Sequence, residues 1–207
     1  MAIGLLILIG FGYFLANAAD QYQIVARLNG AEVGKVASGY QLAMEVMLIN
    51  RIGAAFYFLA TALFIESGGN LSHYVFSIGV ALILVTSVNI YLLYPILKGM
   101  RVSDNQAPSM FSSMTIFSAV AFVFGHAGLT VPYIAGFMIP DYRLTLANSS
   151  FLLTSIFTLL TTLVIDRKLS REIDDNSGRL RELVYSVIIG RIFCGILLII
   201  PLGIFSV

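Results

Sequence analysis

Charge is scarce in this sequence. Of its 207 residues only 11% are Asp, Glu, Lys or Arg, against about a quarter in an ordinary soluble domain. So little charge cannot clothe a water-facing surface, which excludes a soluble globular protein of this length. Tryptophan is absent and there is one cysteine, Cys194. An internal disulfide is therefore excluded, and Cys194, set in an apolar run, reads as a small packing residue. Two histidines, His73 and His126, together with that cysteine are too few for a His/Cys metal site. A net charge of +1 leaves no basic excess to attract nucleic acid. HExxH, a plausible Cys–His pair and the phosphate-cradling GxxxxGK[ST] are all missing. The chain reads as a membrane carrier rather than an enzyme, and no cofactor or metal is expected.

What the chain has instead is apolar length. Hydrophobic residues make up 58% and mean hydropathy is +0.92. Six stretches, at 2–19, 38–63, 71–97, 112–139, 144–165 and 183–204, approach or exceed the roughly 20 residues that cross a bilayer. The connections are short, so the expectation is an all-α, polytopic membrane protein: one integral membrane domain over 1–207, built as a six-helix bundle. The first stretch ends in a small-x-small pattern (Ala16, Ala18) like a signal-peptidase site. No Lys or Arg precedes it, so it is read as a retained helix.

Orientation follows from the loops. Nine Lys and Arg residues fall in the odd connections: Arg27, Lys35, Lys98, Arg101, Arg167, Lys168, Arg171, Arg179 and Arg181. Only Arg143 falls in the even ones. The basic side is expected to be cytoplasmic, which places both termini outside. In the first connection Tyr22, Val25 and Leu28 share a helical face until Gly30 and Gly34. That pattern predicts a short separate amphipathic helix on the cytoplasmic surface. The fifth connection, "DRKLSREIDDNSGRLRE", is charged throughout and is expected to extend its flanking helices into water. A faint echo links Asp20 and Arg51 with Asp166 and Arg191, as in a parallel repeat.

Polar residues inside the spans point to function, because a charge at helix centre costs about 2.5–3.5 kcal/mol to insert. Arg51 lies about 20 Å into its helix at 1.5 Å per residue, too deep to snorkel. Glu45 is six residues away, about 120° around the helix, so the two do not stack. Arg191 is expected some 12 Å deep from the same side. One reading is an interhelical ion pair, for example Glu45 with Arg191. The other is a cavity, favoured because one carboxylate cannot neutralise two arginines. In the fourth span Gly125, Gly128, Pro132 and Gly136 surround His126. This is either a broken helix at a binding site or a packing kink with a hydrogen-bonded histidine. The fifth span carries Thr145, Asn148, Ser155, Thr158 and Thr162 at helical spacing, as interhelical glue or as cavity lining. Glu45 or His126 is a candidate for proton coupling.

Several stretches resemble a known family. "ARLNGAEVGKVA" followed by "INR", then "YIAGFMIPDYRLTLANSS", "TTLVIDRKLSREIDD" and "VYSVIIGRI", look like the Amj-type alternate lipid II flippases. The resemblance spans most of the chain. It implies a protein that moves a lipid-linked peptidoglycan precursor across the bacterial cytoplasmic membrane, for cell wall biogenesis. Arg27, Gly30, Gly34, Arg51, Pro140, Arg143, Asp166 and Arg191 match recurring positions. The chain is shorter in its middle than the pattern, and Asn50 stands where serine is more usual. The candidate substrate-binding set is Arg51, Arg191, Arg27, Glu45, Asn50, His126, Arg143 and Asp166. The expected partners are a polyprenyl-pyrophosphate-linked lipid and the membrane lipids. The alternative is the substrate-binding membrane subunit of an ATPase-coupled vitamin importer, which is also a six-helix bundle of about this size.

Overall fold

The computed structural model describes residues 2–103, 112–175 and 179–205. Seven α-helices follow one another: α1 (Ala2–Glu32), α2 (Val36–Glu66), α3 (Leu71–Ser103), α4 (Ser113–Met138), α5 (Arg143–Leu160), α6 (Arg167–Asp174) and α7 (Leu180–Phe205). A 3-10 turn (Pro140–Tyr142) leads into α5, and a π segment (Thr161–Asp166) joins α5 to α6. There are no strands among the described residues. Six helices are long and apolar enough to cross a membrane, the fifth being the composite of α5, the π segment and α6.

The surface carries apolar rows. On α2, Leu48, Ile52, Phe56, Leu59 and Leu63 are all exposed at spacings of four, four, three and four, which is one helical face. In water such a row would be an interaction patch; in a bilayer it faces lipid. The buried positions, in turn, include Gln21, Thr61, Asn89, Ser118, His126 and Arg191. Ser118, for instance, donates to the backbone oxygen of Val187 at 2.7 Å, tying α4 to α7.

The first helix departs from the sequence expectation. No separate amphipathic helix forms; α1 runs unbroken to Glu32. Gly30 is a contact point, not a break. A Cβ on it would lie 2.5 Å from the Cα of Gly39, so two glycines let α1 and α2 touch backbone to backbone. The chain turns at Gly34, whose φ of +68° lies in the left-handed region open to glycine. The Lys35 N–H donates to Gly30 O and the Gly34 N–H to Ala31 O, the two bonds of a Schellman cap. Gly68, at φ +76°, closes α2 in the same way through Gly69 N–H to Phe64 O. At mid-helix Gly12 and Gly53 repeat the close approach, a Cβ on Gly12 falling 2.6 Å from the Tyr57 nitrogen.

The fourth span also differs from one of its two readings. Pro132 sits inside α4 without breaking it. The irregular helix is the fifth, where the π segment interrupts the α-helical ladder. As expected, the chain beyond Asp166 continues as helix, in α6. Core side chains form two large clusters. One, at the Gly34-turn end, gathers Ile24, Leu28, Leu92, Leu169, Val184 and Ile188. The other, at the opposite end, gathers Ile9, Tyr13, Tyr57, Phe64, Tyr74 and Tyr133. Cys194 packs between them with Val85 and Phe122.

Candidate functional site

α1 and α4 form the floor of a cavity whose walls are α2 and α5. Its volume is about 510 Å³. The floor contributes Ala16, Asn17, Asp20, Gln23 and Arg27 from α1 and Phe122, Gly125 and Leu129 from α4. The α2 wall contributes Asn50 and Arg51; the opposite wall contributes Thr158, Thr161, Thr162 and Asp166. Helix α2 packs on α1 and α5 packs on α4, so the walls stand apart. Arg51, Ala55, Thr158 and Thr162 are at once cavity lining and exposed, which marks the mouth between α2 and α5.

One end of the cavity is shut by polar contacts. Arg27 donates to Asp166 Oδ1 at 2.6 Å and lies over the ring of Tyr40, 5.3 Å from its centre. Beside it the Tyr40 and Ser170 hydroxyls share a hydrogen bond of 2.9 Å. These contacts join α1, α2 and α6. Farther out, the Arg181 guanidinium bonds Glu32. The other end stops at Phe58, Phe122 and Leu129. Behind them lies an aromatic layer in which the Tyr57 and Tyr74 hydroxyls meet at 2.5 Å, Tyr57 also bonds Leu129 O, and Tyr13 bonds His126 Nδ1.

Arg51 is the central residue of α2, about 22 Å from either helix end. Among the described residues no carboxylate pairs with it; the ion pairs are Arg27–Asp166, Arg181–Glu32 and Arg191–Asp20. Its neighbour Asn50 donates from Nδ2 to Ala16 O at 2.6 Å, bracing α2 against α1 at that level. The cavity therefore presents one cation without a protein counter-ion. Two of its lining residues also hold buried polar atoms, Arg27 Nε and Thr161 Oγ1, without a hydrogen-bond partner among the described residues.

Of the eight candidate residues, Arg51, Asn50, Arg27 and Asp166 come together on this cavity. The other four do not line it. Arg191 is 1% exposed and sits behind the floor. Its Nη1 donates to Asp20 Oδ2 at 2.8 Å and to Gln21 Oε1 at 2.5 Å. Its partner is thus Asp20 rather than Glu45, and it does not stand beside Arg51 as a twin cation. Glu45 is exposed and accepts from its helix neighbour Gln41 at 3.2 Å. The 120° between Glu45 and Arg51 turns the carboxylate away from the cavity. His126 is buried one residue past Gly125 and faces Tyr13. Arg143 caps the turn into α5, donating from Nε to Gly136 O at 3.2 Å.

In the threonine-rich fifth span Thr158 and Thr162 line the cavity, the second of the two readings. The Ser155 and Thr158 hydroxyls donate to carbonyls four residues back in their own helix, which ties no helix to another. A residue the candidate set left out is Asp20, which both lines the cavity and pairs with Arg191. Its signal was present: a carboxylate closing an apolar run and echoing Asp166. One half of the echo meets crosswise, Asp20 with Arg191; the other does not, since Asp166 pairs with Arg27, which lies outside the echo.

The arrangement suits an anion whose remaining bulk is apolar or extends sideways. A lone arginine in a recess offers charge and a planar fork of donors. A mouth on the outer face between two apolar helices lets a lipid tail stay outside. Comparison with family models, with curated proteins and with solved structures finds no match to this chain.

Proposed function

We propose that the protein is a flippase for a polyprenyl-pyrophosphate-linked saccharide, the lipid II precursor of peptidoglycan, in the bacterial cytoplasmic membrane. The observation that carries the reading is Arg51: an unpaired cation at the centre of a membrane helix, on a cavity with a lateral mouth. A volume of about 510 Å³ is that of a small-molecule site. It accommodates the pyrophosphate and the first sugar. The polyprenyl chain stays among the lipids beside α2 and α5. Arg51 meets the pyrophosphate; Thr158, Thr162, Asn17 and Gln23 line the cavity beside it and offer hydrogen bonds to hydroxyls. The family resemblance of the motifs around Arg27, Arg51, Asp166 and Arg191 points to the same cargo.

The basic loop side is the cytoplasmic one in this reading, and both termini lie outside. Arg27–Asp166 then closes the cavity toward the cytoplasm and the tyrosine layer toward the exterior. Outward movement of an anion down an inside-negative potential is favourable by roughly 2.3 kcal/mol per charge per 100 mV, so no nucleotide site is required.

Complementation tests the cargo. Expression of this chain should sustain growth when a bacterium's own lipid II flippase is depleted. Failure to do so, with the protein present in the membrane, would count against lipid II. Growth that depends on co-expressed ATPase subunits would favour a vitamin importer. Thiol labelling tests the orientation, and buried Cys194 supplies a quiet background. A cysteine at Glu66, exposed at the Gly68 turn, should react with an impermeant reagent in intact spheroplasts. One at Val33, exposed at the Gly34 turn, should react only after permeabilisation. The reverse pattern would invert the topology.

A further inference from the structure

The outer row of α5 ends in a cluster of cations that the cavity does not use. Leu159 (56% exposed) and Leu163 (61% exposed) point away from the bundle. Arg167, Lys168 and Arg171 follow, all exposed. The wider turn of the π segment stacks each residue nearly over the fourth one beyond it, so Leu159, Leu163 and Arg167 form one row. Arg171 lies one α-helical turn past Arg167, with Lys168 at its side. Helix α6 has two sharply different faces. Leu169 and Ile173 are buried, in the cluster that holds Leu180, Leu183 and Val184; the three cations face the other way. None of the three has a carboxylate partner among the described residues. Asp174 and Asp175 are also exposed, one turn farther from the leucines. Glu172, half-buried, lies at the edge between the two faces; along the outer row the order is apolar, then basic, with the exposed acids beyond, as acyl chain, phosphate and water are ordered at a bilayer surface.

The other described cations at this end are arranged differently. Lys35 follows the Gly34 turn; Lys98 adjoins Gly99, against which the Arg181 guanidinium lies, and Arg181 is paired with Glu32; Arg179 precedes α7. Among the described residues, α6 sets three cations against an exposed apolar row, and α5 packs chiefly on α4, leaving that row open to lipid.

We infer that α5 and α6 form a binding site for an anionic phospholipid of the leaflet at the Gly34-turn end. Arg167, Lys168 and Arg171 hold its phosphate, and one acyl chain lies along Leu159 and Leu163. A zwitterionic phospholipid brings its own ammonium to the same place and loses most of the attraction of three cations, so the site discriminates by headgroup charge. Arg167 directly follows Asp166. The bound phosphate therefore adjoins the Arg27–Asp166 pair that shuts the cavity, without entering the cavity, and the site stands whatever the cavity carries.

The test uses the full chain in mild detergent, titrated with phosphatidylglycerol or chain-matched phosphatidylcholine and read by native mass spectrometry. Three proteins are compared: wild type, Arg167→Gln/Lys168→Gln/Arg171→Gln, and Lys35→Gln/Lys98→Gln/Arg179→Gln. The last removes the same charge from the same end. Wild type and the second triple variant should retain phosphatidylglycerol about tenfold or more over phosphatidylcholine, since each nearby cation adds to the attraction. The α6 variant should fall to within about twofold. An unchanged preference in the α6 variant overturns the site. Equal loss in both variants also overturns it, because a diffuse field would then suffice, and so does the absence of any preference in wild type. Melting of the lipid-free proteins checks folding; if the α6 triple melts early, Arg167→Gln/Arg171→Gln takes its place with the same outcomes.

Discussion

Arg51→Ala is expected to abolish export of the lipid-linked precursor while the protein still accumulates at wild-type levels. The two halves of that expectation come from the same observation. Arg51 has no carboxylate partner among the described residues, so its removal strands no buried charge. Nor does it leave a hole, because Arg51 is exposed at the cavity mouth. What is lost is the fork that holds the pyrophosphate. Charge-assisted hydrogen bonds contribute about 1.5–3 kcal/mol each, so losing a bidentate contact lowers export by roughly 100-fold or more. Arg51→Lys should keep part of the activity, since a point charge attracts the phosphates but cannot grip two oxygens in one plane. Glu45→Ala, on a carboxylate facing away from the cavity, should leave export near wild type. Abundance by immunoblot and lipid II export by accessibility at the outer surface separate these outcomes. Near-normal export by Arg51→Ala would remove the basis of the proposed function.

The second large effect runs the other way, through stability. Arg191→Met should sharply reduce the amount and the melting temperature of the protein, whatever it does to transport. Arg191 is held between Asp20 at 2.8 Å and Gln21 at 2.5 Å, in the packed core of α1 and α7. Breaking a buried pair from one side typically costs about 3–5 kcal/mol, because the other charge is left without compensation. The cost is at the lower end here, since Asp20 also borders the cavity and can be partly hydrated. Asp20→Asn/Arg191→Met removes both charges and should recover much of the lost stability. Thermal melts of the three proteins in detergent decide the matter. Should Arg191→Met melt like wild type, the Asp20–Arg191 contact would have no role in holding the fold.

The difference between these two arginines was not visible in the sequence. Both sit mid-span after a small cluster of apolar residues, and depth alone made both look like ligand groups. Depth along a helix can be read from residue counts; azimuth relative to neighbouring helices cannot, because it depends on which faces pack. Arg191 faces α1, where a carboxylate awaits it; Arg51 faces a gap. The same limit explains Glu45, whose helical angle from Arg51 was legible but whose surroundings were not. Six spans, a helical first segment and helical continuation beyond Asp166 followed from hydropathy and charge. The end of α1 did not. Gly30 and Gly34 look alike in a string of letters, yet one is a contact between helices and the other a turn. The echo pointed to Asp20 and Asp166 as charged residues, but only packing assigned their partners, Arg191 on α7 for Asp20 and Arg27 on α1 for Asp166.

The Asp20–Arg191 pair also bears on how the protein is made. Gln21 and Arg191 are 170 residues apart. At about 5–20 residues per second, the ribosome takes roughly 10–30 s to deliver the cation after the acid has gone into the membrane. During that interval the first helix carries an uncompensated carboxylate, held for a partner in the last helix. A nascent chain that stalls before α7 lacks that partner, so the buried contact that joins the first helix to the last can form only once the final helix has arrived.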